Sequence, residues 1–217
     1  MDRNIITDLY LEQEPVPRLH LGSADNYLAG WLNTDLMPHN GYGDAGQAYV
    51  FMDAAKPFPL PDNAFLYVYT EHMIEHLSWI KGARMLTECA RVLQPGGKIR
   101  IATPNLAVLL DLYRPDKSPI QEQYIAWIAE RFLPNVEESS DVMVINNAFR
   151  SWGHQFIYDE SFLTKALIKA GFQNVVACDV GKSSDPYFDQ LERHGIRVGN
   201  EEMNVFETMV LEAKLPA

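Results

Sequence analysis

An α/β fold built on an open, mostly parallel sheet is predicted by three observations. Residues 65–69, Phe-Leu-Tyr-Val-Tyr, are a short apolar, β-branched and aromatic run entered through the turn residues Pro61, Asp62 and Asn63. Behind Ser78 as N-cap, Ile80, Ala83, Leu86, Ala90 and Leu93 recur at spacings of three and four, which predicts an amphipathic helix. Residues 98–102, Lys-Ile-Arg-Ile-Ala, form a second strand, separated from the helix by Pro95, Gly96 and Gly97 and ended by Pro104. Strand, crossover helix and strand make one parallel unit. Ligands of such sheets collect at the carboxyl ends of the strands, here residues 70–76 and 103–105.

The flanking elements extend this unit. Residues 1–17 are polar with two prolines near the end, and read as a leader or short helix packed outside the sheet. Residues 18–21 form a strand that enters the turn Gly22, Ser23, Ala24 and Asp25, and residues 30–36 form the next, with Asp35 at its end. Only residues 22–30 separate the two, whereas a crossover normally takes ~10–12 residues, so the first helix is predicted to be very short or absent. Residues 49–52 are a third strand, followed by Asp53 and Ala54, and the proline-rich residues 56–61 are a loop. Beyond Asn105, residues 106–113 and 121–132 read as amphipathic helices on either side of a break at residues 114–119. They belong to an insertion over the strand ends, a place that suits a lid. Residues 159–171 are a capped helix with glycine at its end. Residues 173–180 and 205–213 are the last strands, and residues 183–199 a surface loop with a short helix.

Length and composition narrow the function. A chain of 217 residues, 47% hydrophobic, suits a single α/β domain with an insertion. No apolar run approaches the ~20 residues that cross a bilayer, and the N-terminus has no signal-peptide pattern, so a cytoplasmic protein without a membrane partner is expected. Cys89 and Cys178 read as buried free thiols. The formal net charge of −11, with no basic run, disfavours nucleic acid as partner and points to a small-molecule substrate.

The run Arg91, Val92, Leu93, Gln94, Pro95, Gly96, Gly97, with the aspartate-bearing turn, aromatic strand and Glu-His pair before it, resembles the core of class I S-adenosylmethionine (SAM) dependent methyltransferases. A second block, residues 149–154 (Phe-Arg-Ser-Trp-Gly-His) followed by Tyr158, Asp159 and Glu160, resembles a bacterial subgroup of small methyltransferases, some of which accompany genes for cell-surface polysaccharides. Together the resemblance covers residues 16–105 and 149–212. It implies a Rossmann-like class I methyltransferase fold, with a seven-stranded, mostly parallel sheet closed by an antiparallel edge strand. Residues 16–105 would be the cofactor-binding half, 106–150 a helical lid, and 151–217 the rest of the sheet. By the same resemblance Gly22 and Ser23 cradle the amino-acid end of SAM, Asp35 and Leu36 meet the ribose, Asp53 and Ala54 the adenine edge, and Thr70 and Glu71 the loop after the fourth strand. Ala24 stands where the family commonly repeats glycine.

Methyl transfer from a sulfonium is an in-line displacement, and a hydroxyl acceptor must also lose a proton. His154 and His76 are the candidate catalytic bases, with His72, Glu71 and Glu75 nearby. Were residues 71–77 helical, His72, Glu75 and His76 would share one face. With His154 they would make a feasible divalent-metal set. Some methyltransferases with a Glu-x-x-Glu-His motif and a later histidine bind a metal that holds the substrate oxygens; here His72 replaces the first glutamate. In metal-free relatives the Glu-His pair shapes the cofactor loop. Tyr113, Tyr124, Trp127, Phe132 and Trp152 line a pocket or fill a core, and Arg150 holds an anion or an aspartate. Two readings stay open: SAM-dependent O-methylation of a sugar-like or other polar metabolite, and a non-catalytic cofactor-binding or interaction protein on the same scaffold, motivated by Ala24 and the short first crossover. A nicotinamide dehydrogenase is disfavoured, since no Gly-x-Gly-x-x-Gly follows a strand.

Overall fold

The computed structural model describes residues 4–36, 41–42, 46–133 and 139–217. Parts of the expected leader and insertion, residues 1–3 and 134–138, lie outside the described residues. The first half of the chain runs α1 (Ile5–Gln13), β1 (Arg18–Leu21), β2 (Leu32–Asp35), β3 (Gly41–Tyr42), β4 (Ala48–Phe51), β5 (Phe65–Glu71), a 3-10 turn (Ile74–His76), α2 (Trp79–Val92) and β6 (Leu93–Pro104). The insertion supplies α3 (Leu106–Asp111), α4 (Pro119–Phe132) and α5 (Asp141–Arg150). After it come α6 (Glu160–Lys169), β7 (Gln173–Cys178), α7 (His194–Val198), α8 (Glu201–Glu207) and β8 (Thr208–Lys214).

The sheet order is β3-β4-β2-β1-β5-β6-β8-β7. Strands β4, β2, β1, β5 and β6 pair in parallel, while β8 runs antiparallel to both β6 and β7. Seven strands therefore make the expected mixed sheet, with the antiparallel β8 beside the edge strand β7. The two-residue β3 pairs antiparallel outside β4. No helix intervenes between β1 and β2, as the short spacing predicts.

Burial decides how α2 sits. Its inner face is Gly82, Met85, Leu86, Cys89 and Val92, whereas Ile80, expected on that face, is 48% exposed. The rotation follows from Gly82: a Cβ there would overlap the Tyr158 hydroxyl, so glycine lets Tyr158 pack directly on the helix backbone. Ser78 occupies the N-cap without a side-chain bond. The Pro95-Gly96-Gly97 reversal falls within β6 as an irregularity, because Phe65 pairs with Leu93 and Tyr67 already pairs with Lys98. The last strand starts at Thr208, later than its pattern suggests. The preceding residues form α8, whose N-cap Asn200 accepts from the Met203 N–H. Helices α3, α4 and α5 build a second core around Leu109, Tyr124, Ile128 and Val144, which Met203 of α8 joins. The third insertion helix, α5, was not expected from the pattern. Among the described residues no helix is long and apolar enough to cross a membrane. Cys89 is buried and Cys178 half-buried, both as free thiols.

Residues 183–199 are no simple surface loop, because their acids pair with the sheet's cations, the buried Arg100 and the half-buried Lys98. Arg100 on β6 is fully buried; its Nε donates to Glu192 Oε1 at 2.7 Å and its Nη1 to Glu212 Oε1 at 2.5 Å. Lys98 Nζ donates to Asp185 Oδ2 at 2.6 Å. At the end of β5, the Glu71 carboxylate accepts the backbone N–H groups of Arg193 and His194 at 2.9–3.0 Å, where α7 begins. These bonds draw the segment across the strand ends.

Two expected outcomes test these anchors. Arg100→Met leaves two acids without their cation and should lower stability by about 3–5 kcal/mol in urea unfolding; a loss below about 1 kcal/mol would show the charges to be dispensable. Glu71→Ala should raise amide hydrogen exchange at Arg193 and His194 at least about tenfold, through lost charge-assisted bonds, with β5 and β6 unchanged.

Candidate active site

A cleft of about 1030 Å³ opens along the carboxyl ends of the parallel strands and is roofed by the insertion and by α7. Of the eight residues expected to meet a cofactor, Gly22, Ser23, Asp35, Leu36, Asp53, Ala54 and Glu71 line it. Thr70 does not, being fully buried. Gly22 has φ +68°, and a Cβ there would overlap Met73. Ala24 adopts φ 45°, the left-handed conformation that a glycine would take without strain, at a cost of about 1–2 kcal/mol. Its N–H donates to Asp35 Oδ2 at 2.8 Å, so the turn is kept despite the missing glycine. Asp35 Oδ1 also accepts the Leu36 N–H at 2.6 Å, and Asp53 Oδ1 that of Ala55 at 2.9 Å. The Ser23 hydroxyl is buried beside the cleft with no hydrogen-bond partner.

Residues 71–77 do not form the α-helix on which the shared face of His72, Glu75 and His76 depends. His72 takes φ 44°, and a 3-10 turn follows. The four residues expected to ligate one metal are therefore divided. Donor atoms of Glu75, His76 and His154 lie within 4.8 Å of one another, whereas His72 groups with His194 and Glu207. The His72 ring stacks on His194 at 3.7 Å and 9°. Its Nε2 is 3.0 Å from Thr208 Oγ1, and its Nδ1 is 3.5 Å from Glu75 Oε1.

His154 reaches the cleft through two consecutive left-handed residues, Trp152 at φ 56° and Gly153 at φ 84°. Its Nδ1 donates to the Ala148 carbonyl at 2.7 Å. A carbonyl only accepts, so the proton sits on Nδ1 and Nε2 keeps a bare lone pair. The His76 and His154 rings meet edge to face at 4.9 Å. Burial sets the protonation of the whole wall. It pulls His76 and His154 below the usual imidazole range, His72 well below it, and His194 down to about 4. Burial also pushes Glu75 up to about 8 and Glu207 up to about 7. The imidazoles are thus neutral bases at pH 7.

Trp127, Phe132 and Trp152 line the far half of the cleft. Tyr124 instead packs in the second core, its hydroxyl donating to Glu207, and Tyr113 is 69% exposed. Arg150 is exposed and outside the cleft, whereas Arg131 lines it. Sequence reasoning left His194 and Glu207 out of the site. One lies in the stretch read as a surface loop and the other in the stretch read as a strand, and neither has a neighbour at ligand spacing.

Residues 35–101 match the family model described as a methyltransferase domain. No curated protein sequence matches the chain significantly. Solved structures do. The chain described as a methyltransferase in a complex with the Trm112 methyltransferase activator of Haloferax volcanii has a TM-score of 0.55 at 15% identity, over 98% of this chain and 90% of that one. A SAM-dependent methyltransferase of Mesorhizobium loti gives 0.53 at 14%, over 97% and 98%. One from Archaeoglobus fulgidus gives 0.50 at 16%, over 95% and 89%. The chain thus has the fold of these SAM-dependent methyltransferases, and residues 35–101 are similar to a methyltransferase domain.

Proposed function

We propose that this chain binds SAM and methylates an oxygen of a small, polar, sugar-like acceptor. The observation that carries this reading is one cleft with two chemically distinct walls. On one wall Gly22, Ser23, Asp35 and Asp53 stand at the ends of β1, β2 and β4; on the other, His76 and His154 stand beside Glu75. When bound, SAM supplies an electrophilic methyl group on a sulfonium. The chain's own residues fit it: Asp35 and Asp53 have carboxylates at the rim to accept hydroxyl and amino donors, and the orphaned Ser23 hydroxyl lacks only a partner. His154, its Nδ1 proton spent on Ala148, turns Nε2 to the acceptor hydroxyl, with His76 alongside. Trp127, Phe132 and Trp152 exclude water and offer flat faces to an acceptor ring. The insertion that carries the first two acts as a lid over the strand ends.

Calorimetry and turnover test the reading together. SAM should bind the parent protein, and Asp35→Ala should weaken binding by ~1–3 kcal/mol. His154→Gln should keep SAM affinity and lower kcat on a panel of polyhydroxylated acceptors by about 10²–10⁴-fold. No binding of SAM, or affinity unchanged in Asp35→Ala, sinks the cofactor assignment. Binding without turnover on any acceptor would favour a non-catalytic SAM-binding protein.

A further inference from the structure

Arg131 is a cation in the acceptor half of the cleft that the proposed reaction leaves unused. It lies in the last turn of α4, and Trp127, Ile128, Arg131 and Phe132 line the cleft together. Those positions share one face of the helix, so Arg131 belongs to the wall that carries the aromatic rings. It is exposed, and a ligand entering the cleft can reach it.

Nothing in the described residues neutralises this charge. Arg131 makes no ion pair and no hydrogen bond among them; its Cζ stands 5.8 Å from the centre of the Phe132 ring. Arg18, Arg91, Arg100, Arg114 and Arg197, by contrast, each hold an acid. The carboxyls that line the same half of the cleft are turned elsewhere: Glu207 accepts the Tyr124 hydroxyl and Glu75 that of Thr103. Two further arginines line the cleft from the segment that enters α7. Arg197 pairs with Asp25 of the turn after β1 at 3.3 Å, and the Arg193 N–H is fixed by Glu71, so both adjoin the cofactor wall.

An unpaired guanidinium suits one kind of ligand group above others. Its planar fork donates two parallel N–H bonds to a carboxylate or a phosphate, and it keeps its charge at any working pH. A neutral polyol needs no fixed charge there. A chain of net charge −11 also repels anions at long range, so an anionic acceptor requires a local cation of this sort.

We propose that the acceptor is an anionic, sugar-like molecule whose carboxylate or phosphate is held by Arg131, with its ring along Trp127, Phe132 and Trp152 and its reacting hydroxyl toward His154. The lid thereby selects the acceptor by charge as well as by shape, since Arg131, Trp127 and Phe132 all ride on α4.

This inference rests on the methyltransferase reading for its reaction, but the anion site is tested without SAM. Calorimetry on the full-length protein compares glucose, glucuronate and glucose 6-phosphate, which share a ring and differ in charge. At least one charged probe should bind about tenfold or more tightly than glucose. A preference for glucuronate alone assigns the site to a carboxylate, and one for the phosphate alone to a phosphate. Arg131→Gln should abolish the preference and Arg131→Lys should keep part of it. Arg150→Gln, which removes an exposed arginine outside the cleft, should keep it in full. Thermal unfolding of each variant checks that it is folded. The proposal is overturned if neither charged probe outbinds glucose, if the preference survives in Arg131→Gln, or if Arg150→Gln loses it equally. A charge preference that depends on Arg131, without SAM binding in a separate titration, would leave the anion site standing and remove the methyltransferase reading; SAM binding and turnover without charge preference would do the reverse.

Discussion

The buried guanidinium of Arg100 constrains the chain more than any other single group. It lies on β6, in the interior of the sheet, where an unpaired charge would be intolerable. Glu212 answers it from β8 and Glu192 from the connection between the last two strands. That second partner forces residues 179–193 inward, since Lys182 and Asp179 also offer their carbonyls to the same side chain. The consequence is functional. Once Glu192 is pinned, Arg193 and His194 arrive at the end of β5, and Glu71 fixes them there. A stretch that would otherwise be solvent-exposed becomes part of the cleft's roof.

The cleft itself combines two kinds of wall. Toward β1, β2 and β4 the polar groups are short: the Asp35 and Asp53 carboxylates accept backbone amides, and the buried Ser23 hydroxyl is left without a partner. Toward the insertion lie four half-buried imidazoles, the half-buried Glu207 and the fully buried Glu75, flanked by Trp127, Phe132 and Trp152. Burial favours the neutral form of both kinds of group. Neutral imidazoles are competent as bases or ligands, so the desolvation that makes this wall costly also makes it reactive. The insertion contributes Trp127, Ile128 and Phe132 of α4 to this wall, and the return after it brings Trp152 against His154.

How far the sequence could be read depended on whether a feature was local. The strand at residues 65–69, the helix stopped before Pro95 and the missing first crossover helix were legible, because apolar periodicity, proline and glycine act on the chain within a few residues. So was the order Gly22, Asp35, Asp53 along three successive strand ends. The buried face of α2 was not: leucine and isoleucine spacing suggested Ile80, but only the distant Tyr158 reveals that Gly82 must face inward. Nor was the division of the histidines, which depends on the left-handed backbone at His72.

By itself, then, the sequence determined the alternation of elements, the parallel sheet and the segments that reach its carboxyl edge, since these follow from period, turn chemistry and connection length. Only the tertiary structure decided which polar groups meet. His154 pairs with His76 across most of the insertion, and His194 with His72 across the last crossover. Those pairings are set by buried charges and by backbone bonds between segments remote in sequence, and no local pattern of residues encodes the distance between two such segments.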